Sequence, residues 1–237
     1  MARFTTTREL ARTGGSAPIQ GELIMAHGFL DIATTASVKA AQIANGSAAL
    51  WANAKAYKER NRFTAAETEF IGTCNSFYMA TVSESGWPYV QHRGGPPGFL
   101  RVINDKTLAF LDFRGNRQYI SLGNVAANDR VALLIMDYPN RRRLKIYARI
   151  EVKDLKVDSQ LAATLTLAAY PARAERAFLL HLEAFDWNCP QHITPRFTEP
   201  EIEAALAPVG ARIAQLEAEN KMLRDRLAIT EGENVKA

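Results

Sequence analysis

Four short segments concentrate the side chains that could do chemistry. The first is residues 87–97, Trp-Pro-Tyr-Val-Gln-His-Arg-Gly-Gly-Pro-Pro. Gly94, Gly95, Pro96 and Pro97 stop strand pairing there, and glycine lets a flat ligand approach the main chain. In an extended segment Gln91 and Arg93 share one face and His92 takes the other. They read either as ligand contacts or as exposed polar residues at a strand end. The second segment holds Leu111, Asp112, Arg114, Gly115, Asn116, Arg117 and Gln118. A strand runs into Gly115 and a helix follows. A helix start offers unpaired N–H groups and the positive end of a dipole, a natural phosphate seat. Arg114 and Arg117 add charge-assisted donors to it. The same stretch also reads as an ordinary cap at Asn116 with surface arginines.

The third segment is Asn140, Arg141, Arg142, Arg143, Leu144 and Lys145. Charge runs at hairpins are commonly just solvated, yet Arg143 and Lys145 share a strand face and could line a pocket. The fourth is residues 186–197, where Gln191, His192 and Arg196 sit among Pro190 and Pro195 with Trp187 and Phe197 near the ends. That composition suggests a rigid loop over a site. Cys189, His192 and His181 lack a fourth ligand at suitable spacing, so no metal is expected. No serine lies in a Gly-x-Ser-x-Gly turn. No residue declares itself a general acid or base, and the catalytic residues stay unassigned.

These segments need elements to hold them. Residues 34–58 have few breakers beyond Gly46 and read as helix, with Trp51 and Tyr57 docking it on the body of the protein. Thr64 followed by Glu67 has capping-box spacing and predicts a short helix to about Gly72. From there the period becomes that of strands. Residues 77–82 and 87–93 flank a Glu84-Ser85-Gly86 turn, and 99–103 and 107–113 flank Asn104-Asp105-Lys106. Residues 116–128 read as a short helix. Strands at 130–138 and 143–152 flank Pro139-Asn140, and 177–187 alternates again. Five or six antiparallel strands with one short helix between them predict a closed or partly closed barrel.

Composition sets the outer bounds. The 237 residues are 47% hydrophobic, enough for a real core, and the net charge of +4 suits an anionic small molecule without implying nucleic acid. Cys74 and Cys189 read as reduced thiols of a cytoplasmic protein. No apolar run approaches the roughly 18 residues of a membrane span. Residues 1–20 lack the apolar stretch of a secretory signal and read as a frayed terminus.

The order of motifs carries a resemblance. A Gly-x-Pro-x-x-Gln strand, a strand–Gly-Asn-Arg-Gln–helix step, the arginine-rich hairpin and Asp-Trp-Asn-Cys-Pro-Gln-His together resemble the pyridoxamine 5'-phosphate oxidase-like flavoproteins over about residues 63–197. The resemblance implies a mainly β fold: a six-stranded antiparallel Greek-key split barrel, dimeric, with FMN in clefts at the interface. It implies an FMN-dependent oxidoreductase of unknown substrate, the alternative being a non-catalytic flavin-binding or sensing protein. The family's basic second-strand stretch falls on Gln91, His92, Arg93 and Gly94, and its phosphate turn on Asn116, Arg117 and Gln118. Its flavin-edge glutamine falls on Arg143. Gln91 and Gln118 stand where the family carries cations, and Arg93 and Arg114 are the candidate replacements. Leu111 and Asp112 complete the expected cofactor contacts, with Lys145, Gln191 and Arg196 as further candidates. The oxidase's Arg-Leu-His-Asp substrate run is absent, which puts pyridoxamine phosphate in doubt as the substrate.

The chain divides on this reading into a helical extension (1–62), the FMN-binding barrel (63–197) and a carboxy-terminal helix (198–237). In that helix Ile213, Asn220 and Leu227 fall seven apart, with Leu216 and Leu223 between them. This is the seam of a short parallel coiled coil, or else an amphipathic helix lying on its own barrel. Glu199 to Pro208 is acidic and carries prolines, which excludes the basic helix of a DNA-binding zipper.

Overall fold

The computed structural model describes residues 28–52, 60–167, 170–187 and 190–234. The readings made for residues 1–20, Tyr57 and Cys189 lie outside them. Helices α1 (Phe29–Ala33), α2 (Ala36–Ala44) and α3 (Ala48–Trp51) come first. The single helix expected over 34–58 is broken at Gly46, whose φ of +67° turns the chain, with Ser47 N–H donating to the Gln42 carbonyl at 2.9 Å. Trp51 is exposed instead of docked.

Helix α4 (Ala65–Thr73) starts as its sequence predicts: the Thr64 hydroxyl accepts from Ala66 N–H, and Glu67 accepts from Thr64 N–H at 3.0 Å. Strands β1 (Ser76–Val82) and β2 (Pro88–Gly94) form the first hairpin, and β3 (Arg101–Asn104) and β4 (Thr107–Phe113) the second. Helix α5 (Ile120–Ala127) leads to β5 (Arg130–Asp137) and β6 (Arg142–Lys153). Helix α6 (Ser159–Leu165), not anticipated from sequence, precedes β7 (Ala174–Trp187), and α7 (Glu199–Asn234) ends the chain.

One antiparallel sheet holds seven strands, in the order β2-β1-β5-β6-β7-β4-β3, so the expected count of six is one short. The sheet is rolled. Phe77 on β1 and Phe110 on β4 are separated by three intervening strands, which in a flat sheet would hold them about 19 Å apart. Their rings are instead 5.2 Å apart, edge to face. The edges β2 and β3 do not pair, so the roll is not closed by hydrogen bonds.

Alternation fills the roll. Phe77 and Met79, Val131, Leu133 and Ile135, Leu144 and Ile146, and Phe178 and Leu180 all point inward and are buried. Beneath α6, Ala109, Leu111, Ala177 and Leu165 form a second cluster on the outer face of β4 and β7. Strand β4 is therefore covered on both sides, which is why it reads as a continuous apolar run.

Candidate functional site

Inside one mouth of the roll lies an ion-pair cluster. Arg93 on β2 donates to Asp112 Oδ1 at 2.5 Å, and Arg176 on β7 donates to Asp112 Oδ2 at 2.8 Å. The Arg93 guanidinium lies over the Phe110 and Phe178 rings at 5.8 and 5.6 Å, and its buried Nε has no hydrogen-bond partner among the described residues. Arg176 also donates to Glu175 at 3.0 Å and lies over the Tyr119 ring at 5.1 Å. Gln91 points the same way as Arg93 and accepts from the Ser121 hydroxyl at 2.8 Å. Asn124 donates to Thr81 at 2.9 Å. The buried face of α5 is thus tied to β1 and β2 across this mouth.

The segment before α5 departs from its sequence reading. The helix begins at Ile120, not at 116, because Arg117 and Tyr119 both take left-handed φ, +60° and +52°. Asn116 does not cap the helix. Its Oδ1 accepts from Gln118 N–H at 3.1 Å in a local turn. The N-cap position falls to Tyr119, whose side chain accepts nothing from the helix; its hydroxyl donates to Glu175 at 3.2 Å. Among the described residues the first-turn N–H groups of α5 consequently have no side-chain acceptor. Arg117 is exposed and makes no ion pair or hydrogen bond among the described residues, while Arg114 sits 3.8 Å from Glu175.

His92, Arg143 and Lys145 lie on the outer face. One rung of the sheet runs His92, Tyr78, Leu134, Lys145, Asp186 across five strands. Three strand spacings put His92 and Lys145 about 14 Å apart. Lys145 is paired with Asp186 at 3.0 Å, and Phe29 of α1 covers it with its ring 4.6 Å from Nζ. Arg60 donates to the same Asp186 at 2.9 Å. Arg143 occupies the next rung on the same face, opposite Met136.

The carboxy-terminal loop reaches this face through tyrosines. Arg196 lies over the Tyr138 ring at 5.0 Å, Tyr138 neighbours Tyr78, and Tyr78 meets His92 edge to face at 5.6 Å. Burial pushes the Tyr138 hydroxyl above its usual range, the neighbouring Tyr78 hydroxyl adds to that, and Arg196 opposes it. Gln191 is exposed, and Ile193 is buried and anchors the loop. A cleft of about 510 Å³ opens beside Tyr138 and Arg196, lined also by Phe70, Cys74, Arg142 and Glu201. Burial, with the Asp137 charge beside it, pushes the Cys74 thiol up to about 11, so it is protonated at neutral pH and no nucleophile.

The sequence-predicted residues therefore fall into separate groups. Gln91, Arg93 and Asp112 gather inside the mouth, and Arg114, Asn116, Arg117 and Gln118 form the loop beside it. His92, Arg143, Lys145 and Arg196 share the outer face. The Leu111 side chain is buried beneath α6. Sequence reasoning missed Arg176 and Glu175 because β7 was expected to start at 177. Extending the alternation of Phe178, Leu180 and Leu182 back by one step would have placed Arg176 inside. It also missed Tyr78 and Tyr138, which local pattern alone does not distinguish. Among the described residues no group of side chains is arranged to hold a metal, and no helix is long and apolar enough to cross a membrane.

A family profile described as pyridoxamine 5'-phosphate oxidase matches residues 63–186, more than half of the chain. No curated protein sequence matches it. Among solved structures, a candidate pyridoxamine 5'-phosphate oxidase of Lactobacillus delbrueckii is similar at 23% identity, covering 54% of this chain and 96% of its own, with a TM-score of 0.42. General stress protein 26 of Bacillus anthracis is similar at 13% identity, over 55% and 93% of the two chains, with a TM-score of 0.40. An FMN-binding protein of Syntrophomonas wolfei is similar at 10% identity, over 63% and 97%, with a TM-score of 0.40.

Proposed function

Because the chain belongs to the pyridoxamine 5'-phosphate oxidase family, we propose that it is an FMN-binding oxidoreductase that works as a homodimer, with the cofactor in the cleft between protomers. The observation that carries this reading is the phosphate seat. The uncapped N-terminus of α5 adjoins Arg117, which has no acceptor of its own among the described residues. A phosphate monoester fits there: it would receive first-turn N–H groups and a guanidinium together.

Bound FMN would supply two-electron redox chemistry, and the chain would bind, orient and shield it. Arg143 and Arg196 are the cations suited to the electron-rich edge of the flavin. Lys145, paired with Asp186, is a further candidate. Tyr138, with its hydroxyl pushed up, stays a hydrogen-bond donor at neutral pH. The rolled sheet is read as the family's split barrel, with the barrel unit at 63–197. Trp87 and Val90, 76% and 60% exposed on the first hairpin, are the apolar surface a second protomer would cover.

The test is an absorbance spectrum of the purified protein with mass identification of the released chromophore. FMN is the expected result. A colourless protein that takes up no added FMN overturns the reading. Bleaching by a reduced nicotinamide followed by reoxidation in air separates an enzyme from a flavin-storing or flavin-sensing protein.

A further inference from the structure

Helix α7 is 36 residues long, about 54 Å at the α-helical rise. Every residue from 199 to 228 is exposed, so the helix does not lie on its own barrel. Its apolar residues are nevertheless ordered. Ile202, Leu206, Val209, Ile213, Leu216, Leu223 and Leu227 follow one another at alternating spacings of four and three, and Asn220 fills the one remaining place in the series. These seven aliphatic side chains are 45–62% exposed. The stripe spans almost four heptads, longer than the short seam expected from sequence. Helices in proteins owe most of their stability to packing of such a face, and none of the described residues packs on it.

We propose that α7 pairs, parallel and in register, with α7 of a second copy of this chain as a two-stranded coiled coil. Two features select that occupant. In a parallel pair the two Asn220 residues face each other and their amides can hydrogen-bond. In an antiparallel pair a positions face d positions, so each Asn220 faces an aliphatic side chain such as Leu216, and the buried amide is left unsatisfied. The flanking charges agree: Arg212 of one helix faces Glu217 of the other, and Glu219 faces Arg224, each pair made twice. Pro208, inside the helix, lies off the stripe and does not obstruct the seam. The seam begins at Ile202 and does not require a bound cofactor.

The experiment uses the full chain with Cys189 replaced by serine and Asn220 left in place. Ile213→Cys, Leu227→Cys and Ala218→Cys are oxidised mildly as separate variants and run on a non-reducing gel. Ile213 and Leu227 lie on the seam, and Ala218 faces away from it. The expected result is a two-chain disulfide for most of the Ile213→Cys protein and most of the Leu227→Cys protein, with little for Ala218→Cys. Three outcomes overturn the proposal. One is no crosslink at either seam position. Another is a crosslink of Ile213→Cys only on mixing with a Leu223→Cys variant, the pairing of an antiparallel seam in which Asn220 faces Leu216. The third is equal crosslinking at Ala218, which marks random collision. Far-ultraviolet circular dichroism of each variant confirms that the helix is retained.

Discussion

The indole N–H of Trp187 donates to Glu67 Oε1 at 2.7 Å, joining the end of β7 to the first turn of α4. The other carboxylate oxygen accepts from Thr64 N–H at 3.0 Å and from the Thr64 hydroxyl at 2.6 Å. One buried carboxylate therefore caps a helix and fixes the sheet beside it. Burial alone would raise its pKa, but the hydrogen bonds from Thr64 and Trp187 outweigh burial and hold it below its ordinary 4.5. In Glu67→Gln an amide N–H must face one of these donors, and the variant should lose about 1–3 kcal/mol. A carboxyl whose pKa is lowered by folding contributes stability that is complete above its unfolded value and fades as pH falls through the folded one. Denaturant titrations should show a constant gap between parent and variant at pH 6–8 that narrows below about 4.5. A gap unchanged by acid would separate the carboxylate charge from the stabilisation.

Asp112 is the shared acceptor of Arg93 and Arg176, and the Arg93 side chain is only 14% exposed. Asp112→Ala leaves the Arg93 guanidinium without its carboxylate inside the mouth of the roll and Arg176 with Glu175 alone, and should cost about 3–5 kcal/mol. Arg176→Ala should cost clearly less, because it leaves the Arg93–Asp112 pair intact and Glu175 still accepts from Tyr119. Urea unfolding of the two variants ranks them, and the reverse order would show that Asp112 does not organise the cluster.

Arg117→Ala should weaken FMN binding ten- to a hundred-fold, since a charge-assisted bond to a partly buried phosphate is worth about 1.5–3 kcal/mol. The thermal midpoint of the cofactor-free protein should not move. The arginine side chain contacts no described partner, and alanine at φ +60° carries the same Cβ strain as arginine. Arg117→Lys should recover part of the affinity by keeping the charge. Fluorescence titration with FMN reads the effect. Unchanged affinity takes Arg117 out of the site, whereas a lowered midpoint without cofactor makes its role structural.

Much of the fold was legible because its signals are local. Thr64 and Glu67 mark the start of α4, and Asn104, whose Oδ1 accepts from Lys106 N–H at 2.9 Å, marks the turn between β3 and β4. Period-two runs placed β1, β4, β5 and β6 within a residue or so. The misplaced start of α5 has a physical reason. Asn116 is equally good at making its own turn with Gln118, and only tertiary packing puts Tyr119 in the left-handed region. The site was legible as residue types but not as groupings. Nothing local reveals that Arg93 finds Asp112 across a rolled sheet, or that Lys145 is already paired with Asp186 on the adjacent strand.

Gly95 is a glycine for a reason the sequence concealed. A Cβ built there would sit 2.7 Å from both Cβ and Cγ of Phe99. Phe99 cannot retreat: it is buried in the main core and stacked on Phe77 with centroids 5.7 Å apart. Gly95→Ala should therefore destabilise the protein by about 1–3 kcal/mol through overpacking. Gly94→Ala is the matched control. Its Cβ would come tight only against the far end of the His92 ring, at 3.0 Å, with the Asn75 carbonyl at an ordinary 3.6 Å, and His92 is exposed and can move. The control should lose less than about 1 kcal/mol. Thermal unfolding of the two cofactor-free variants makes the comparison. If Gly95→Ala instead unfolds like the parent and only its FMN affinity falls, the glycine serves a ligand's approach to the main chain, and the packing account of the Gly-Gly-Pro-Pro turn is wrong.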